Sequence, residues 1–197
     1  MTRSNARELA VHLIYGRDFT GETPEEVVSV RLGEEYYSKL AQENEVYTER
    51  PSRKQKAYID AAVAGVAEKA EELNGIISRY AIGWDIKRIS RLARAVMQLA
   101  IYEALYVDDV PTGVAVSEAV RIIKQYESEE TASFVNGILG SFARALNTPV
   151  PLPEVEETAP VETEAEEWEA VATPEMIPPP LPPLTAARGR MYRDCCP

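Results

Sequence analysis

Cysteine and histidine are nearly absent from this sequence, which has two cysteines, adjacent at Cys195 and Cys196, and one histidine, His12. Neighbouring cysteines close no loop and lack the spacing of a structural zinc site, so the fold must rest on apolar burial. No stretch approaches the run of about 18 apolar residues that marks a membrane span. Positions 1–20 also carry Glu8 and Asp18 where a secretion signal would be apolar. A cytoplasmic protein without membrane contact is expected. There is no phosphate-binding loop, no G-x-G-x-x-G and no H-E-x-x-H. His12 has no Cys or Ser that spacing would nominate beside it and reads as a surface or edge residue. No enzyme activity and no cofactor or metal are therefore expected.

Positive charge is also scarce, the formal net charge being −11 over 197 residues. It is unevenly spread. Positions 1–147 hold 18 Lys and Arg against 22 Asp and Glu, whereas positions 148–197 hold 3 against 10. The first 147 residues are thus close to neutral and can present a local basic surface, so the acidic total does not exclude a nucleic-acid partner. Proline divides the chain at the same place, with 11 of its 14 residues beyond position 147, alongside an acidic run at 162–169. Proline removes backbone donors and like charges repel, so 148–197 reads as a disordered tail behind a folded region at 1–147. Within that tail, 178–183 is open to reading as a polyproline II ligand.

What remains is helical in pattern almost throughout, without the period-2 alternation of strands. Six helices are expected, joined by short loops into a compact all-α bundle. The first spans about 4–17, with Ala6, Leu9, Ala10 and Leu13 at helical spacing. Thr23-Pro24-Glu25-Glu26 opens the second with a capping hydroxyl, a first-turn proline and two acids at the positive end of the dipole, and Gly33 is a point of interruption. Ser52 with Gln55 forms a capping box for a third, which runs toward Leu73 before a bend or stop at Asn74-Gly75. The fourth is expected over about 86–106, the fifth opens at Pro111, and the sixth covers about 132–146.

Two basic features suit phosphate. Arg3 and Arg7 stand four residues apart and should project from one flank of the first helix, where the planar guanidinium fork can grip phosphate oxygens. Lys87, Arg91 and Arg94 should form a second stripe on the fourth helix, with no interleaved acid. Either feature also fits an ordinary solvated face. Arg53, Lys54 and Lys56 add a short basic cluster. Gly137 lies inside the sixth helix, where glycine costs roughly 1 kcal/mol relative to alanine, so either a close helix crossing or the approach of an RNA or partner backbone is expected there. Phe134 beside it reads as core or as a platform for a base.

The segments Ala6-Arg7-Glu8-Leu9-Ala10, Leu99-Ala100-Ile101-Tyr102-Glu103, Val110-Pro111, Val114-Ala115-Val116-Ser117-Glu118-Ala119-Val120 and Phe134-Val135-Asn136-Gly137-Ile138-Leu139 resemble, in order, the signatures of the NusB family. The resemblance covers about residues 2–146. It implies six to seven helices in two three-helix subdomains, and a role in processive antitermination with RNA polymerase. It also implies binding of a short single-stranded boxA-type RNA together with ribosomal protein S10 (NusE), with self-association left open. Carried onto this chain, the implied RNA-binding residues are Arg3, Arg7, Tyr15, Glu130 and Phe134, to which the Lys87, Arg91 and Arg94 stripe is added. Ser4, Asn5 and Gln98 stand where many relatives carry arginine. An interaction module with little RNA affinity of its own is the alternative.

Overall fold

The computed structural model describes residues 1–147, so the proline-rich tail, its polyproline candidate and the two cysteines lie outside the described residues. Among those residues there are eight α-helices and no strand: α1 Arg3–Thr20, α2 Pro24–Arg31, α3 Glu34–Leu40, α4 Arg53–Glu68, α5 Ala70–Tyr80, α6 Arg91–Tyr106, α7 Thr112–Tyr126 and α8 Glu129–Asn147. Short 3₁₀ turns at Glu45–Tyr47 and Ile86–Arg88 complete the chain. None of these helices is long and apolar enough to cross a membrane.

Local chemistry sets most of the boundaries. Thr23 accepts from the Glu26 N–H while the Glu26 carboxylate accepts from the Thr23 N–H, a complete capping box that fixes the start of α2. Ser52 and Gln55 do the same for α4. Gly21 ends α1 in the left-handed region at φ 69°, its N–H donating to the Arg17 carbonyl.

Two boundaries differ most from the sequence expectation. The third expected helix breaks at Lys69 rather than at Asn74-Gly75: Lys69, its backbone outside the helical region, closes α4 by donating to the Gly65 carbonyl, and α5 begins at the next residue. The fourth begins at Arg91, because Ser90 adopts an extended conformation and its hydroxyl accepts from the Ala93 N–H at 3.0 Å, which makes it the N-cap. Residues 86–88 form a separate turn, closed by the Asp85 carboxylate accepting from the Lys87 N–H.

One continuous apolar core includes Leu9, Leu13, Ile59, Leu73, Ile77, Met97, Leu99, Ile101 and Leu139. Helix contacts sort into an amino-terminal group, α1, α2 and α4 with short α3, and a carboxy-terminal group, α5 to α8, with α6 touching both. Helix α1 is enclosed on several sides, and six consecutive residues, Ala6, Arg7, Glu8, Leu9, Ala10 and Val11, are buried. Contacts of Arg7 with Glu103 and of Asp18 with Arg94 show α1 and α6 running antiparallel. Ser4 bonds Glu118 and His12 bonds Tyr126, so α7 runs parallel to α1. The start of α6 and the ends of α1 and α7 therefore share one end of the bundle, and the start of α1 lies at the other.

Candidate nucleic-acid interface

At the first of these ends the chain leaves α5 through buried Ala81 and turns at Gly83, whose φ of 79° is disfavoured for a residue with a Cβ. The turn pushes Ile82 and Trp84 outward, 88% and 51% exposed. Trp84 rests on Phe134 of α8, ring centroids 5.0 Å apart, and the Arg88 guanidinium stands 5.7 Å from the Trp84 ring. The pair borders a depression of about 340 Å³ that also involves Ser90, Glu130 and Thr131. Ser90 donates to Glu127 at 2.6 Å, tying this segment to the end of α7. Partly covered rings with a guanidinium alongside are the equipment of a base-stacking platform.

A second aromatic–arginine pair lies at the same end of α6. Tyr15 and Phe19 meet edge to face at 4.9 Å, and the Arg91 guanidinium lies 4.4 Å from the Phe19 ring centre. Phe19 is exposed. The expected stripe of Lys87, Arg91 and Arg94 is not one helix face: Lys87 sits exposed in the 3₁₀ turn, Arg91 begins α6, and Arg94 is paired with Asp18 at 2.7 Å. The acid missing from the stripe in sequence is supplied by α1.

Arg7 requires a correction. It does not project from an exposed flank beside Arg3 but is 4% exposed, its Nε donating to both Glu103 carboxylate oxygens at 2.7 and 3.0 Å. Its Nη1 lies 3.5 Å from Glu118, and Tyr58 donates to Glu103 at 2.8 Å. Burial works against the charge on Arg7, but the facing Glu103, with Glu118 behind it, more than offsets this and holds its pKa above the ordinary value. A cation so engaged is structural. Arg3 remains exposed at the start of α1, far from Arg91: α6 alone separates them by roughly 24 Å at 1.5 Å per residue.

His12 is not freely exposed but half-buried between two tyrosines. Its ring nitrogens face Tyr47 at 3.0 Å and Tyr126 at 2.9 Å, and Tyr126 donates to buried Glu8 at 2.7 Å. Burial lowers its pKa, against the pull of the Glu8 charge. Among the described residues no group of three or more His, Cys, Asp or Glu is placed to hold a metal ion.

The family model described as the NusB family matches residues 4–144. The chain belongs to the NusB family. The transcription antitermination protein NusB of Acetivibrio thermocellus is 38% identical over 144 residues, covering 73% of this chain and 90% of that protein. That of Carboxydothermus hydrogenoformans is 37% identical, covering 75% and 96%. Among solved structures, T. maritima NusB superposes with a TM-score of 0.61 at 29% identity, over 73% of this chain and 92% of that one. A structure of antitermination factors NusB and NusE in complex with dsRNA gives a TM-score of 0.57 at 23% identity, over 73% and 96%, and shows the shared fold.

Within this NusB fold the first of the two readings of Gly137, a close helix crossing, is corrected. A Cβ placed there meets nothing within 4 Å, so no helix crosses closely at that point and the glycine faces open space. Gly137→Ala is accordingly expected to stabilise the domain by about 1 kcal/mol, read in thermal or urea unfolding. A loss of stability would mean that α8 is crowded here after all. Trp84, Arg88 and Phe19 were not singled out from the sequence. The available signal was a tryptophan just after a turn glycine with an arginine four positions on.

Proposed function

We propose that this NusB-family chain acts in transcription antitermination by holding a short single-stranded boxA-type RNA together with ribosomal protein S10 (NusE) in the RNA polymerase antitermination complex. The observation that carries the reading is the pairing of exposed rings with guanidinium groups, Trp84, backed by partly covered Phe134, with Arg88, and Phe19 with Arg91, around one end of the bundle. Such pairs accept unpaired bases without requiring a duplex groove. The names of the curated relatives and the NusB–NusE–RNA complex among the structural neighbours support it. We assign the function to residues 1–147. Trp84, Arg88 and Phe19 join Arg3, Tyr15, Lys87, Arg91, Arg94, Glu130 and Phe134 as the RNA-facing set, with Arg94 contributing only if its bond to Asp18 opens. This is binding chemistry, with no bond made or broken.

Arg7, withdrawn into the core, and Ser4 and Asn5, where many relatives carry arginine, favour a second reading, an S10-binding module with little RNA affinity of its own. Titrating the full-length chain with boxA RNA, with and without S10, separates the two. S10 is expected to tighten RNA binding by about 5- to 150-fold, and linkage requires RNA to tighten S10 binding by the same factor. Independent binding of RNA and S10 would remove the joint mechanism. S10 binding with no RNA binding in either arm would establish the second reading.

A further inference from the structure

The opposite end of the bundle carries a groove that the aromatic–arginine end does not explain. It has a volume of about 520 Å³ and is bordered by Arg3, Lys54, Tyr58, Tyr102, Tyr106 and Asp109. That size suits a nucleotide-scale ligand. Arg3 and Lys54 are exposed and come from the first turns of α1 and α4, 51 positions apart in sequence. Lys54, read from sequence only as part of a short basic cluster, is thereby brought to the same groove as Arg3.

The aromatic wall of the groove is held in place. The Tyr102 ring lies across α4 directly against Gly65, where any Cβ would overlap it, and its hydroxyl donates to the Ala61 carbonyl at 3.4 Å. Tyr106 stands next to it, ring centroids 5.4 Å apart and planes 37° apart. Its hydroxyl donates to Glu72 at 2.6 Å, and Lys69 Nζ lies 4.4 Å from its ring centre. Tyr106 is still 40% exposed. Tyr58, by contrast, has its hydroxyl committed to Glu103 and serves as floor.

We propose that this groove is a second foothold for single-stranded RNA, in which a base stacks on the Tyr102–Tyr106 pair while Arg3 and Lys54 hold the flanking phosphates. Asp109 on the rim is the one acid facing such a strand from this groove, and its carboxylate can accept from a base N–H. The inference rests on the RNA-binding reading and extends it: a strand that reaches both ends of the bundle runs along α6, spanning roughly 24 Å. Gly65 is then a positioning residue, which keeps the Tyr102 ring down on α4.

The test uses the full chain and a short dye-labelled boxA-type single strand, with the corresponding duplex and S10 in separate arms. Tyr106→Ala is expected to weaken single-strand binding by about 5- to 150-fold, the range for one base on an aromatic ring, while Tyr106→Phe keeps wild-type affinity. Lys54→Ala, at an exposed position, should flatten the slope of log K against log salt by about 0.7. Gly65→Ala should weaken binding by displacing Tyr102. If the wild-type chain binds RNA and both Tyr106→Ala and Lys54→Ala leave affinity and salt slope unchanged, the foothold is wrong and the RNA reading stands. Loss of S10 affinity with RNA affinity unchanged makes the groove a protein surface and also overturns it. No RNA binding by the wild-type chain, even with S10, removes the RNA reading and this site together. Melting curves accompany each variant, and Lys54→Ala decides the matter should Tyr106→Ala melt early.

Discussion

Arg7→Ala is expected to destabilise the helical domain by about 3–5 kcal/mol, because it strands the Glu103 carboxylate in the core. Glu103 has no exposed surface, and its partners are the Arg7 guanidinium and the Tyr58 hydroxyl. With Arg7 gone, one hydroxyl must neutralise a charge that water cannot reach, or the acid must take up a proton at the cost of its charge-assisted bonds. For a domain of this size the melting temperature should fall by roughly 6–20 °C. Replacing both partners, Arg7→Met with Glu103→Leu, should recover much of the loss, since a packed apolar pair carries no desolvation penalty. The measurement is thermal unfolding of the three variants beside wild type. An Arg7→Ala protein that melts with wild type would mean that the guanidinium is not holding Glu103 in solution. Any fall in RNA affinity of Arg7→Ala must therefore be judged against its folded fraction.

Removal of both rings at the other end, Trp84→Ala with Phe134→Ala, is expected to reduce single-strand RNA affinity by about 2–6 kcal/mol if each ring carries one base. Trp84 is half exposed and contributes little core burial. Phe134 is more enclosed, so its single variant needs a melting control, and Trp84→Ala alone is the cleaner arm. Arg88→Ala should add a smaller loss, with a flatter salt dependence, because its guanidinium stands beside the same ring. Fluorescence anisotropy with single-stranded and duplex probes is the measurement. Equal losses for single strand and duplex would argue against base stacking at this platform.

Much of the fold was legible because helix starts are written in local chemistry. Thr23 with Glu26 and Ser52 with Gln55 are capping boxes in the sequence and in the structure. Gly33, read as an interruption, is where α2 gives way to α3. The break at Lys69 carries no such mark: no glycine or proline stands there, and the turn follows from how α4 and α5 each bury a face. The Ser90 cap was obscured by apolar Ile86 and Ile89, whose spacing suited a helix extending upstream.

The binding surface was harder to read than the fold. Four-residue spacing places Arg3 and Arg7 on one flank, but it does not say how wide the buried arc of α1 is, and enclosure by α4, α6 and α7 widens it past Arg7. The partners that decide the matter, Glu103 and Glu118, lie about a hundred positions away. Likewise nothing near Arg94 in sequence announces Asp18, and nothing near Phe134 announces Trp84. Pairings made only by the fold decide which arginines are free to meet a phosphate.

The contacts around His12 also settle where its proton sits. Tyr126 gives its hydrogen to Glu8, so the Tyr126 oxygen can only receive from His12 Nε2, which must carry hydrogen. Nδ1 is then the bare nitrogen, and Tyr47 must point its hydrogen inward to meet it. The imidazole is fixed as one tautomer, and the hydrogens are ordered in one direction from the turn at Glu45–Tyr47, through α1 and α7, and back to α1. A second proton on the ring would set two hydrogens face to face between Nδ1 and Tyr47, so Tyr47 would have to turn its hydrogen away and accept instead. The seam between the 3₁₀ turn and α1 is thus closed by a neutral ring, and burial weighs against its taking up a second proton.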